Sequence, residues 1–225
     1  MSAFDSALKT PTNTRALAGN VAGQARVQEV LSPDWIIESS AQALGGEIGI
    51  DPCASTNSAN WFAKNNLTLS AEALPLEREM VALGKGANAV EKARAKTLRA
   101  QLKPFYLAAG LGTDWGDARD GAYVNEPFDF LRAWMVRCAL EAEVNLRRIV
   151  MLAPVRTHRP WWVVNASGAE VVWLDYSVIF KGHTSAFPAP LALITWNCRM
   201  PHLGKRETGR WHVPMKSHCK HEVSR

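Results

Sequence analysis

The chain has 225 residues, of which 47% are hydrophobic and 21% charged, with a net charge of +5 and an isoelectric point near 9.2. That length provides for one sizeable core and argues against a division into two independent domains. No apolar run approaches the roughly 20 residues of a membrane-spanning helix, four scattered cysteines without a secretory signal point to a reducing cytoplasm, and the positive balance fits an anionic partner.

Residues 1–30 are rich in Thr, Asn, Gly and Ala without periodicity, and are expected to form a flexible lead-in with no function of its own. Ser32-Pro33-Asp34-Trp35 then starts a helix ending near Gly45-Gly46, with Ser32 as N-cap and Pro33 in the first helical position. Glu47 to Ile50 reads as a short strand ending in Asp51-Pro52-Cys53-Ala54. An Asp followed by small residues at the carboxyl end of a strand suits a cofactor-binding crevice in an open α/β sheet.

Residues 71–110 are longer than a connection between strands needs. They are helical in pattern from Leu76 through Leu102 and carry Arg78, Lys85, Lys92, Arg94, Lys96, Arg99 and Lys103. A solvated helical insertion and a phosphate-contacting excursion are both compatible with that pattern. Gly121 to Val124 reads as a buried strand, Phe130 to Val144 as a helix, Arg148 to Pro154 as an apolar strand and Thr157 to Val164 as a short helix. Glu170 to Asp175 and Pro190 to Asn197 supply two more strands. The alternation predicts an α/β fold whose sheet is covered on both faces. Nine tryptophans, among them Trp161-Trp162, are expected to serve packing.

Residues 198–225 are expected to form a basic mobile tail: seven Lys or Arg lie between Arg199 and Arg225 against Glu207 and Glu222. Cys198, His202, His212, His218, Cys219 and His221 fall in the same stretch, but their spacing matches neither a paired Cys-x-x-Cys nor a zinc finger, so no metal is expected.

Asn125-Glu126-Pro127-Phe128 lies between the strand ending at Val124 and the helix beginning near Phe130. In that setting the Asn125 amide oxygen and the backbone carbonyl of residue 126 can accept both hydrogens of one exocyclic amine, Pro127 stiffens the turn and Phe128 stacks on a base. Two acceptors favour a more tetrahedral nitrogen, raising the reactivity of an amine that is otherwise conjugated to its ring. The same four residues also satisfy a plainer reading, a turn into a helix with Phe128 in the core and Asn125 bonding its own backbone.

The ordered set SPDW, IDPCAS, Asn57 and Asn60 before Trp61-Phe62, Asp114-Trp115, VNEPF, VMLAP and FPAPLALITW resembles the phage-type DNA adenine-N6 methyltransferases, the Dam family of phages and prophages, over residues 31–197. The resemblance implies a Rossmann-like methyltransferase fold, S-adenosylmethionine as methyl donor, and a flipped-out adenine in double-stranded DNA as substrate. It places Asp51, Pro52, Cys53, Ala54 and Asp114 at the cofactor and Asn125, Glu126, Pro127 and Phe128 at the target amine. The basic side chains clustered in residues 71–110 would serve, if functional, as a target-recognition or DNA-clamping element. For Asp114 a simple turn residue is the competing reading. Two departures stand out: Glu126 occupies the place of a proline in the family's Asn-Pro-Pro-aromatic motif, and no Arg precedes Phe180, where Lys181 is the nearest cation. The corner would equally accept the exocyclic amine of cytosine, and Glu126 leaves open a silent DNA-binding relative.

Overall fold

The computed structural model describes residues 31–54, 60–83, 88–126 and 128–215; the expected lead-in, Asn57, Lys85, Pro127, His218, Cys219 and His221 lie outside them. Five α-helices are described: α1 (Asp34–Leu44), α2 (Ala73–Leu83), α3 (Ala89–Ala108), α4 (Leu131–Val144) and α5 (Pro160–Asn165). They accompany one seven-stranded sheet: β1 (Ile50–Ala54), β2 (Asn65–Thr68), β3 (Ala122–Val124), β4 (Ile149–Pro154), β5 (Glu170–Leu174), β6 (Leu191–Trp196) and β7 (Glu207–His212). The spatial order is β2-β1-β3-β4-β6-β5-β7. From β2 to β4 the pairings are parallel, whereas β6 runs antiparallel to β4 and β5 and β7 antiparallel to β5. The molecule is therefore α/β with a mixed sheet.

The period-2 alternation of strand side chains divides the apolar residues into two cores. Ile149, Met151 and Ala153 of β4 join Ala122, Val124, Val171 and Ile194 on one face, beneath α2 to α5. Val150 and Leu152 join Tyr123, Val172, Leu191 and Leu193 on the other, beneath Ile36 and Leu44 of α1. Each fully buried aliphatic side chain contributes about 1.5–3 kcal/mol, so both faces hold the sheet.

The helices of residues 71–110 pack against each other and bury Ala73, Met80, Leu98, Leu102 and Tyr106 with Leu131 and Trp134 of α4. Only their outer surface, with Arg78, Lys92, Arg94 and Lys96, is exposed. The element is thus part of the main core and carries its cations outward.

Three local readings are corrected. The first strand begins at Ile50 and takes in Asp51–Ala54, which is strand rather than loop. Its register against β2 jumps between Asp51 and Ala54, the irregularity expected where Pro52 has no N–H to give the ladder. The cap of α1 is Pro33, without a side-chain hydrogen bond, so Ser32 is released for another use. Residues 198–215 are not a free tail: β7 extends the sheet beside β5 and Val213 is buried.

Candidate functional site

The chain passes from β1 to β2 on one side and then returns, through α2 and α3, to β3 on the other side of β1. Neighbouring connections therefore diverge between β1 and β3, and in open α/β sheets ligands bind outside the carboxyl ends of the strands at such a switch point. Asp51–Ala54 ends β1 here and Asn125-Glu126 follows β3. The two segments singled out in the sequence thus meet at one crevice edge. Their contact is direct, since the Asn125 backbone N–H is directed at the Cys53 sulfur.

A hydrogen-bond chain fixes Asn125. Its Nδ2 donates to Ser32 Oγ at 3.1 Å, and Ser32 Oγ lies 2.6 Å from the Tyr123 hydroxyl. Because one side of the amide donates to Ser32, Oδ1 is the acceptor the side chain presents on its other side. Tyr123 is fully buried, and Phe62 meets its ring edge-to-face at 5.6 Å. Phe128 is half-buried and belongs to an aromatic run, 5.3 Å from Phe187, which is 5.6 Å from Phe180. Packing thereby sets the orientation of the Phe128 ring.

The carboxyls at the crevice are unusual. Asp51 is 6% exposed; burial pushes its carboxyl up to about 7, against a smaller opposing effect of the Cys53 N–H that it accepts. Glu126 is 3% exposed, neither of its carboxyl oxygens has a hydrogen-bond partner on another residue, and burial raises it well above the ordinary carboxylate range, against a smaller opposing effect of its own backbone N–H. Burial likewise raises the thiols of Cys53 and Cys138, with Glu126 adding to both.

Asp114 is not brought to this edge by the contacts that fix it. It is exposed and accepts the Gly116 N–H at 2.9 Å in a local turn. The following residues are held by Arg147, which donates to the carbonyls of Gly116, Asp117 and Asp120 just before the amino end of β4. Lys181, the nearest cation to the missing Arg, is paired with Asp34, and its N–H donates to Leu31 O at 2.8 Å.

Four participants were not foreseen. Ser32 and Tyr123 act across 91 residues, beyond the reach of any local pattern. Arg156 and Arg159 follow β4 at its carboxyl end, on the same edge as the crevice. Arg156 is buried to 7% exposure, and burial together with the charge of Arg159 lowers its proton affinity. Two guanidiniums held close, with no carboxylate on either among the described residues, suit an anionic ligand. The motif Arg-Thr-His-Arg directly after a buried strand is the signal that could have found them.

Among the described residues, no group of three or more His, Cys, Asp or Glu could hold a metal ion, and no helix is long and apolar enough to cross a membrane. No family model, no curated protein and no solved structure matches this chain.

Proposed function

We propose that this protein is an S-adenosylmethionine-dependent DNA methyltransferase of Rossmann-like fold, acting on the N6 amine of a flipped-out adenine. The observation that carries the reading is the meeting of Asp51–Ala54 and Asn125-Glu126 at the β1/β3 switch point. The buried, unpartnered carboxyl of Glu126 and the nearby Asp51 fit a cationic cofactor, since both lack a protein cation among the described residues. S-adenosylmethionine supplies, when bound, a methyl group on a positively charged sulfur.

The chain's own part is positioning. Asn125 Oδ1 and the carbonyl of residue 126 accept from the amine, so the nitrogen gains nucleophilic character as it reacts. The Ser32–Tyr123 pair holds the amide in one orientation, and Phe128, set by Phe187, stacks on the extruded base. Arg156 and Arg159 contact the phosphates of the distorted strand, giving binding a marked salt dependence.

The test is incubation of the purified protein with isotopically labelled S-adenosylmethionine and unmethylated DNA, followed by digestion and mass spectrometry of the nucleosides. Label in N6-methyladenine is the expected result. Label in N4-methylcytosine would move the target to cytosine, and donor binding without any labelled base would leave a silent DNA-binding relative. Within the active protein, Ser32→Ala is expected to lower the rate about tenfold and to reduce stability by roughly 1–3 kcal/mol, because it leaves the buried Tyr123 hydroxyl unpaired. Single-turnover rates and thermal melts of this variant check both effects.

A further inference from the structure

Glu126 is the least explained polar group of the fold. A carboxyl 3% exposed with both oxygens unpartnered is costly, and such groups in folded proteins are paired, neutral, or waiting for a ligand. The groups that face it come from three elements. Cys53 approaches from β1, Tyr123 from β3, and Cys138 from α4. Every one of them is acidic or neutral. On α4, Arg137, whose charge acts on Cys138, is committed to Glu141 at 2.6 Å and to Thr113 O at 2.9 Å. A second carboxyl, Asp51, acts on the same Tyr123 and Cys53. No protein cation among the described residues acts on either buried acid, Glu126 or Asp51, an arrangement that favours a bound positive charge.

Building on the methyltransferase reading, we infer that Glu126 is the counter-charge for the cationic end of the methyl donor, and that it gives up its proton when the donor binds. Burial, with no positive partner to stabilise the anion, raises the carboxyl well above the ordinary carboxylate range in the free protein. A positive charge entering the crevice favours the ionised form, so one O–H bond breaks, the proton leaves to solvent, and the carboxylate faces the ligand. The donor offers two such charges, its sulfonium and its α-ammonium, and either would serve. The family-like proline at this position has no carboxyl to offer, so this coupling is a property of the present chain.

Linkage gives the sign. A proton released on binding makes affinity rise with pH, by about tenfold per unit for one proton, over the range in which the free protein keeps Glu126 protonated. The experiment is titration calorimetry of the full-length protein with S-adenosylmethionine in buffers of equal pH and different ionisation enthalpy, which counts protons directly. About one proton released to buffer by the wild type is expected. Glu126→Gln should lose that release and flatten the pH dependence, while Asp51→Asn should retain it. S-adenosylhomocysteine, which keeps the ammonium but not the sulfonium, assigns the charge: release with both ligands names the ammonium, and release with S-adenosylmethionine alone names the sulfonium.

Binding without proton exchange by the wild type would overturn the inference while leaving the methyltransferase reading intact. Release unchanged in Glu126→Gln but absent in Asp51→Asn would also overturn it, making Asp51 the exchanging group. No binding of the donor at all would remove the methyltransferase reading and this inference with it. The wild-type proton count needs no variant to fold.

Discussion

Asn125→Ala is expected to reduce methyl transfer by about 10²- to 10³-fold, the size of effect seen when one preorganised polar group at a reacting centre is deleted. The truncation removes the Oδ1 acceptor from the amine and leaves only the carbonyl of residue 126. It also ends the Nδ2 bond to Ser32, but Ser32 keeps Tyr123 as a partner, so the fold loses little. Donor affinity should be unchanged, because the side chain acts on the amine rather than on the cofactor. Rate constants under single-turnover conditions, paired with calorimetric donor binding, separate these effects. Unchanged turnover would remove the amine-binding corner as the reacting centre. A parallel loss of donor binding would instead place Asn125 at the cofactor.

The distribution of what was legible follows from the range of the forces involved. The strands of β3, β4, β5 and β6 are continuous runs of apolar residues, and their observed bounds fall within a residue or two of the expected ones because burial on both faces requires such runs. The strand β2 escaped because Asn65-Asn66 is poor strand former and sits at the sheet edge. The edge strand β7, with Glu207, Gly209 and Arg210, reads as tail on the same grounds: its pairing is with β5 and its side chains are mostly exposed. At the site, the two crevice segments were readable as motifs. Their convergence was not, since the turn of the chain back across β1 is a property of topology. Ser32 shows the limit most clearly. Locally it is a helix cap, and only the fold places it against Tyr123 and Asn125.

The largest expected loss of stability lies away from the crevice, at Arg147. Its side chain is 1% exposed, yet it is fully engaged: Nε donates to Glu141 at 3.2 Å, Nη1 to Asp117 O at 2.9 Å and Asp120 O at 2.6 Å, and Nη2 to Gly116 O at 2.8 Å. The guanidinium also stands 6.0 Å from the Trp115 ring. Arg147→Ala would take a donor from three carbonyls, of which Asp117 O keeps the Asp120 N–H, and reduce the charge partners of the buried Glu141, a change that costs about 3–5 kcal/mol. For a chain of this size that corresponds to a fall in melting temperature of roughly 6–20 °C. Arg147→Lys should recover only part of the loss, because an ammonium cannot reach several carbonyls with a planar fork. Arg119, by contrast, is 91% exposed in its pair with Asp117, and its removal should leave the melting temperature nearly unchanged. The consequence reaches function, since residues 116–120 feed directly into β3 and so set where Asn125 emerges at the crevice. Thermal melts of the three variants, with activity of Arg147→Lys measured well below its transition, distinguish loss of fold from displacement of the corner. An Arg147→Ala protein that melts with the wild type would show that Trp115 and the turns around it hold this segment without the guanidinium.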